Sequence, residues 1–323
     1  MDVTLQKVHG SENDFFILDE IDLPEPFVHT EVDQLRKSLC DRNNGLLGGA
    51  DGILFVGKVN KGTSLAKMRV INSDGSEASM CGNGLRTVAR YLTEKYNQEY
   101  FTVETMFAEL KVGRTDDFSK DVPAYQVEIS PVSFEKEAVP MNYSQQTVID
   151  EIIPELSKTI KFSVVSVPNP HMIAFVDHEE LENGELERIA AYVNGTNPIF
   201  PDGINVSFVE ILRENELFVR TFERGVGLTS ACGTAMCASS LMYTLLYTKI
   251  FYQRITVRNA GGLVKTVVHE NSDGGYWMEL IGNATITHYI KGSIADFMYG
   301  DFEKLMIEET REQEAYKEFL AQN

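Results

Sequence analysis

The sequence predicts an α/β protein of two similar domains, each built as a sheet curled around one helix. The chain has 323 residues, which is enough for two cores of medium size. Strand patterns and helix patterns both occur in each half, with strands in excess. Two short segments, SMCGNG around Cys81 and SACGTA around Cys232, each place a cysteine just before an apolar helical stretch.

The strands are predicted from alternating or β-branched segments. In the first half they lie at Thr4–Lys7, Phe15–Leu18, Ile53–Val56, Met68–Ile71, Tyr100–Glu104 and Tyr125–Ile129. In the second half they lie at Phe162–Val167, Met172–Val176, Asn205–Ile211, Leu217–Phe222, Ile255–Val257, Leu263–Val267 and Trp277–Ile281.

Helices are predicted at Glu31–Leu39, Gly84–Tyr96, Gln145–Ser157, Glu182–Val193 and Thr234–Tyr247. The helix after Cys232 has no charged residue before Lys249, so it is apolar on almost every side. Such a helix must be enclosed, and the surrounding strands are the elements that can enclose it. The helix after Cys81 is more amphipathic, with arginines able to extend toward solvent.

A faint internal repeat supports two similar halves. The segment NDFFILD at 13–19 resembles NPHMIAFVD at 169–177, and a cysteine turn follows each of them. We therefore predict an N-terminal domain at 1–131, completed by a returning segment near 280–296, and a C-terminal domain at 132–279. Residues 297–323 read as a charged, amphipathic helical extension, whose acidic stretch EETREQE is predicted to be a solvated helix face.

The composition excludes several classes of function. A net charge of −19 argues against nucleic acid as a partner, because phosphates would be repelled over the whole surface. The start of the chain carries no apolar leader and no later run reaches membrane-spanning length, so we expect a cytoplasmic protein without a membrane partner. The four cysteines are scattered and there is neither a CxxC nor an HExxH motif, so we expect neither a disulfide framework nor a metal site.

The two cysteine segments predict a chemistry. At a helix start, unpaired backbone N–H groups and the positive end of the helix dipole favour thiolate over thiol. Two such thiols can serve as base and acid on opposite faces of one carbon, which is the chemistry of a cofactor-free racemase or epimerase. The other two cysteines, Cys40 and Cys237, are predicted to be ordinary core residues.

Six segments together resemble one family, the diaminopimelate epimerases, within the wider group that includes the proline racemases. The segments are HGSENDF (9–15), DR (41–42) with GADG (49–52), NSDGSEASMCGNGLR (72–86), PNPH (168–171), FPDGINV (200–206) and RTFERGVGLTSACGT (220–234). They occur in the family's order over roughly the first 290 residues.

The resemblance implies an α+β fold of two pseudo-symmetric domains, each a curved, mostly antiparallel sheet around a central helix. It implies that Cys81 and Cys232 are the catalytic pair and that no cofactor takes part. It places a small amino acid in contact with Asn13, Asn72, Asn83, Asn169, Asn205, Glu223 and Arg224. Backbone N–H groups for the reacting carboxylate would come from Gly82, Asn83, Gly233 and Thr234, with His171 beside the thiols. The substrate would be diaminopimelate, and a homodimer is one option for the assembly.

Alternatives remain open at this point. Glu12 stands where the family commonly has glycine, directly before Asn13, and a carboxylate there favours a different amino-acid substrate such as histidine. A thiol–disulfide redox protein would also use two cysteines, because paired thiols can cycle between dithiol and disulfide. A third alternative is a catalytically idle homologue that binds a partner.

Overall fold

The computed structural model describes residues 2–59 and 62–323, which form two compact units. The first unit is Met1–Val127 with Ile281–Asn323, and the second is Glu128–Leu280. The sequence predicts the division between the domains at residue 131, with the chain returning to the first domain near residue 280.

The strands and helices of the described residues are numbered in chain order. The strands are β1 (Asp2–Gly10), β2 (Asn13–Asp19), β3 (Gly52–Gly57), β4 (Ala66–Asn72), β5 (Glu77–Ala78), β6 (Tyr100–Glu104), β7 (Glu109–Arg114), β8 (Ala124–Ile129), β9 (Glu151–Ile152), β10 (Lys161–Ser166), β11 (Pro170–Phe175), β12 (Asn205–Arg213), β13 (Glu216–Glu223), β14 (Gly227–Thr229), β15 (Arg254–Asn259), β16 (Gly262–Glu270), β17 (Tyr276–Asn283), β18 (Thr285–Ser293) and β19 (Met306–Glu309). The helices are α1 (His29–Cys40), α2 (Gly82–Tyr96), α3 (His178–Glu182), α4 (Glu185–Asn194), α5 (Gly233–Tyr243), α6 (Ile294–Tyr299) and α7 (Glu312–Gln322). No helix within the described ranges is long and apolar enough to span a lipid bilayer.

The first unit begins as a hairpin and continues through two parallel crossovers. Strand β1 pairs antiparallel with β2 and also with β18. After the crossover helix α1, β3 lies parallel to β2, and β4 then pairs antiparallel with β3. After α2, β6 lies parallel to β4, followed by antiparallel β7 and β8. Most of the pairings are therefore antiparallel, with one parallel pair at each crossover.

The second unit repeats this order. Strands β10 and β11 are antiparallel, β12 follows the α3–α4 crossover and lies parallel to β11, and β13 pairs antiparallel with β12. After α5, β15 lies parallel to β13 and antiparallel to β16. The topology of the two units thus carries the repeat that the sequence shows only faintly, and it confirms the predicted fold class.

Each unit wraps its strands around one helix that follows a cysteine. Helix α2 contacts β1, β2, β3, β4 and β7, whereas α5 contacts β10, β11, β12, β13, β15 and β16. In α5 every residue except Thr234 is buried, as the uncharged sequence predicts. In α2 the prediction about the arginines is wrong, because Arg86 and Arg90 are both buried. Their guanidinium groups are held by hydrogen bonds inside the unit rather than by water.

A second layer of helices covers the other side of each sheet. In the first unit, Leu35 and Leu39 of α1 pack in a core with Phe16 of β2. In the second unit, Leu186 and Ile189 of α4 pack with Phe208 of β12. Burial of these apolar side chains is the main driving force that holds each crossover helix on its sheet.

The predicted helix at Gln145–Ser157 is absent. This stretch holds the short strand β9 and several turns. Asp150 has a positive φ of 56°, and Pro154 lacks the N–H that a helix interior requires. Its apolar residues Val148 and Ile153 are nevertheless buried in the core of the second unit. The spacing of the apolar residues therefore indicates which side chains are buried and not that the segment is helical.

The predicted helical extension at 297–323 is only partly helical, and it is not an appendage. Strand β19 pairs antiparallel with β18, and α7 packs against β18 in the first unit. Tyr316 in α7 has no exposed surface, and Glu312 forms an ion pair with the buried Arg90. The acidic stretch is therefore not simply a solvated face, because a buried cation neutralises part of it.

The enclosed position of α5 yields a stability prediction. We expect Leu241→Ala, at a fully buried position in α5, to lower the free energy of unfolding by about 2–5 kcal/mol, because it removes apolar contacts and leaves a cavity. The matched variant Leu212→Ala, at a position 45% exposed in the same unit, should cost less than about 1 kcal/mol. Urea unfolding of both variants measures this, and equal losses would contradict the enclosure of α5.

Candidate active site

Cys81 lies at the N-terminal end of α2, in extended backbone just before the first helical turn. The N–H of Gly84 donates to its sulfur at 3.4 Å, so the thiol occupies the position of a helix cap. A Cβ at Gly84 would lie 2.9 Å from a methyl carbon of Leu54, so a larger residue here would force that buried side chain to shift. The sulfur therefore faces the free N–H groups and the positive dipole of the helix that it precedes.

Asn13 is a side-chain partner of Cys81. The Cys81 thiol donates to Asn13 Oδ1 at 3.6 Å, and Asn83 Nδ2 donates to the same oxygen at 3.4 Å. Asn13 Nδ2 donates to Asp51 Oδ2 at 2.7 Å, which fixes the amide with its oxygen toward the thiol. We call Cys81, Asn13 and Asn83 the Cys81 cluster.

Asp51 is a residue that the sequence reasoning missed. It lies in the GADG segment, and Arg42 of the DR segment donates to its Oδ1 at 2.6 Å. Arg42 also contacts Asp14, the neighbour of Asn13. These two segments carry the family resemblance, and their role in the first unit is to hold the amide that contacts the thiol.

Asn72 lies at the same end of the sheet as Asn13. The register joins Phe15 of β2 to Gly52 of β3, and Gly52 to Asn72 of β4, so the two asparagines lie two strands apart. Asn72 Nδ2 donates to Ser76 Oγ at 2.9 Å within the turn that follows β4. The first unit thus gathers the predicted residues Cys81, Gly82, Asn83, Asn13 and Asn72 around the N-terminus of α2 and the adjacent sheet end.

Cys232 has the equivalent position before α5, but its partners differ. Its sulfur lies 3.5 Å from Thr234 Oγ1, and that hydroxyl lies 3.0 Å from His171 Nε2. The same ring nitrogen lies 3.0 Å from Asn169 Oδ1. We call Cys232, Thr234, His171 and Asn169 the Cys232 cluster. In addition to the thiol, it contains three residues that the family resemblance predicts for the site.

His171 is neutral in this cluster. Its ring is fully buried, and burial lowers its pKa to about 3. Asn169 Oδ1 beside Nε2 requires the ring proton on that nitrogen, and this single N–H is shared between Asn169 Oδ1 and Thr234 Oγ1. Thr234 therefore accepts from His171, and its own hydroxyl hydrogen is left to donate to the Cys232 sulfur. The arrangement orients Thr234 toward the thiol without placing a second charge beside it.

Burial and a carboxylate keep Cys232 protonated. Burial raises the pKa of the Cys232 thiol well above its usual value, and the negative charge of Glu223 raises it further. Hydrogen bonds from Thr234 and from the N–H of Ala235 act in the opposite direction but are outweighed. The thiol therefore carries its proton at neutral pH, which suits it to donate a proton.

The remaining predicted residues of the second unit lie where β12 begins and β13 ends. Asn205 pairs with His171 across the parallel strands, and the backbone N–H of Arg224 donates to Asn205 Oδ1 at 2.8 Å. Arg224 Nη1 donates to the carbonyl of Asp202 at 2.8 Å. Gly233 opens α5 directly after Cys232. Within the second unit, therefore, the predicted residues form one group around the start of α5.

Cys40 is a core residue, as predicted. It is buried among the apolar side chains that α1 packs on the sheet, and burial raises the pKa of its thiol to about 12. In residues 2–59 and 62–323, no group of three or more His, Cys, Asp or Glu side chains is arranged to hold a metal ion.

Comparison with known proteins identifies the family of this chain. The family model described as "Diaminopimelate epimerase" matches residues 5–134 and 163–286. The chain belongs to the diaminopimelate epimerase family. A protein of Enterococcus faecalis named diaminopimelate epimerase is 66% identical over 99% of this chain and 98% of its own length. One from Ligilactobacillus salivarius with the same name is 58% identical over 98% of both chains.

Solved structures share the fold of this family member at low sequence identity. A Bacillus anthracis phenazine biosynthesis protein of the PhzF family has a TM-score of 0.61 at 16% identity, covering 91% of this chain and 99% of its own. A hydroxyproline epimerase from Agrobacterium vitis has a TM-score of 0.57 at 15% identity, covering 90% and 91%. These likenesses extend the two-unit α/β fold beyond the close relatives.

The neutral state of His171 predicts a pH dependence of stability. Its pKa is lower in the folded protein than its usual 6.5, so the unfolded chain binds more protons and stability rises with pH. As pH falls from 6.5 toward 3, we expect His171 to remove about 1.4 kcal/mol of stability per pH unit. Urea unfolding between pH 7 and pH 5 measures the slope.

The variant His171→Gln should lower this slope by the contribution of one proton, whereas His29→Gln, at an exposed position, should keep the wild-type slope. Equal slopes in wild type and His171→Gln would contradict a neutral, buried His171.

Proposed function

We propose that this enzyme interconverts LL- and meso-2,6-diaminopimelate through a thiolate and a thiol. Membership of the family over nearly the whole chain, with relatives that bear this enzyme name at 66% and 58% identity, supports the reaction. The two thiols at the starts of buried helices support the chemistry.

In the proposed mechanism the two cysteines act on one α-carbon. In the direction where Cys81 is the base, its thiolate takes the α-proton, and the electron pair of the C–H bond moves toward the carboxylate. The Cys232 thiol, protonated in the resting enzyme, gives its proton to the opposite face. One C–H bond breaks and one forms, so Cys81 ends as a thiol and Cys232 as a thiolate. The reverse reaction exchanges the two roles.

The proposed source of transition-state stabilisation is the start of each helix. Negative charge develops on the substrate carboxylate as the α-proton leaves, and backbone N–H groups at helix N-termini stabilise such charge. We assign these donors to Gly82 and Asn83 of α2 and to Gly233 and Thr234 of α5. With that field in place the reaction needs no pyridoxal phosphate as an electron sink.

The proposed substrate contacts use amides and one guanidinium group. Amide side chains can bind both the ammonium and the distal carboxylate of diaminopimelate without changing the charge at the thiols. A guanidinium group pairs well with a carboxylate through two parallel N–H donors. We assign this binding to Asn13, Asn72, Asn83, Asn169, Asn205 and Arg224, with Glu223 as a further contact.

The proposed place of the reaction is the cytoplasm, where meso-diaminopimelate would feed the synthesis of lysine and of peptidoglycan precursors. The test of the substrate is deuterium exchange. Purified enzyme is incubated in deuterated water with LL-diaminopimelate and, separately, with a panel of L-amino acids that includes L-histidine. Solvent deuterium at the α-carbon of diaminopimelate alone is the expected result. Exchange confined to another amino acid would overturn the substrate.

The cysteine pair yields a prediction about turnover. We expect Cys81→Ser and Cys232→Ser each to lower kcat by about 10²–10⁴-fold, because each removes a general acid or base. Cys40→Ala is the matched control, since that thiol lies in the α1 core, and its kcat should stay within about twofold of wild type. Epimerisation is followed by the appearance of meso product.

All assays are run with a phosphine reductant. A redox protein would lose disulfide cycling in these variants, whereas an epimerase loses turnover under full reduction. Full activity in either serine variant would contradict the two-thiol mechanism.

A further inference from the structure

We propose that the C-terminal segment 310–323 positions the Cys81 cluster, with Tyr316 and Glu312 as its positioning residues. The proposal rests on the function proposed above, because it concerns the placement of Asn13 against the reacting thiol. The segment lies beyond the residues that the family model matches, which end at 286. The Enterococcus faecalis relative aligns with 99% of this chain, so the similarity of that protein continues into the segment.

The first step of the argument is a strained turn directly before Asn13. Gly10 of β1 pairs with Asn13 of β2, so Ser11 and Glu12 form a two-residue hairpin loop. Their φ angles are 53° and 64°, which places two residues that are not glycine in the left-handed region. Each such residue costs roughly 1 kcal/mol or more, so surrounding contacts must hold the turn.

The second step is that buried side chains accept both N–H groups of this turn. Ser11 N–H donates to Asn283 Oδ1 at 2.8 Å, and Glu12 N–H donates to His9 Nδ1 at 3.2 Å. Burial lowers the pKa of His9 to about 4, so the ring is neutral at pH 7, and the N–H of Glu12 at Nδ1 places the lone pair on that nitrogen and the ring proton on Nε2. The placement of Asn13 therefore depends on where the His9 ring lies.

The third step connects this turn to α7. The Tyr316 ring lies edge-on to the His9 ring, with 5.1 Å between centroids and an interplanar angle of 60°. The Tyr316 hydroxyl is hydrogen-bonded to the Ser11 side chain, which also accepts from Arg86 Nη2 at 3.2 Å. Tyr316 thus contacts the turn residue and the ring that holds the turn, from a fully buried position.

The fourth step is the ion pair that attaches α7 to α2, the helix that follows Cys81. Glu312 accepts from Arg90 Nη1 at 2.6 Å and from Nη2 at 2.7 Å, a two-point contact between α7 and α2. Glu312 also accepts the backbone N–H of Ile286 at 2.9 Å. Cys81 directly precedes α2 and Asn13 directly follows the turn, so α7 contacts the elements that carry both the thiol and the amide.

The variant Tyr316→Phe tests the hydroxyl contact and keeps the ring against His9. We expect kcat to fall about fivefold, the value of one neutral hydrogen bond, because Asn13 is held less firmly against the reacting thiol. Tyr299→Phe, at the end of α6 in the same unit and 78% exposed, is the matched control and should leave kcat unchanged.

A second pair of variants tests the ion pair. We expect Glu312→Gln to lower kcat about tenfold, because the buried Arg90 loses one of its two carboxylate partners, keeping Glu94 of its own helix, and α7 shifts on α2. Glu314→Gln, at an exposed position in the same turn of α7, should have no effect. An unchanged kcat in both Tyr316→Phe and Glu312→Gln would overturn the proposal.

A readout without substrate separates this proposal from the proposed function. Alkylation of Cys81 by iodoacetamide, followed by peptide mass spectrometry, should be at least about threefold faster in Tyr316→Phe and Glu312→Gln, because Asn13 no longer holds the thiol. Alkylation of Cys40 in the same samples reports general unfolding and should not change. Wild-type rates in both variants would overturn the positioning role. If wild type does not epimerise diaminopimelate but Cys81 alkylation still changes, the proposed function fails and the positioning role stands.

Discussion

Each cysteine is held by the helix that it precedes, and each helix is held by the sheet that encloses it. Helix α5 is buried except at Thr234, and α2 is buried from Gly82 to Arg90, so neither can shift along its axis without breaking apolar contacts with several strands. A residue at the start of such a helix has a fixed position and faces unpaired N–H groups. Placement and electrostatic environment of the thiol thus come from the same packing.

The two units use one topology to give the two thiols different surroundings. Cys81 is partly exposed and contacts an amide, whereas Cys232 is buried beside a hydroxyl, a neutral imidazole and the charge of Glu223. A neutral His171 matters here, because an imidazolium at that distance would favour the thiolate. The repeated strand order places both thiols at helix starts, and the side chains that differ between the halves give each thiol different neighbours.

The hairpin before Asn13 combines an unfavourable backbone conformation with stabilising contacts to residues that are distant in the sequence. Two residues with positive φ make the turn unfavourable by itself, yet its N–H groups meet His9 and Asn283 inside the first unit. Strain at a functional position persists only where the surrounding structure determines it. In this protein that surrounding structure includes a C-terminal helix whose sequence looks like a solvated surface.

The sequence by itself determined the cysteine pair, the enclosed helix α5, most strands and the family, because these depend on short-range periodicity and on motifs. Of the helices it predicted, Gln145–Ser157 was wrong, since Asp150 and Pro154 prevent a helix while the apolar residues serve the core. Strands β5, β7, β9, β14, β18 and β19 escaped prediction. Of these, β5, β9, β14 and β19 have two to four residues, which is too few for a periodic signal, whereas β7 does alternate Leu110 and Val112 with charged residues. Only the tertiary structure decided that Asp51 orients Asn13, that Asn283 holds the turn at Ser11, and that Glu312 meets Arg90. The last two of these contacts join residues more than 200 positions apart. Local sequence periodicity extends over a few helical turns or one strand, so it contains no information about which distant groups will meet in the folded core.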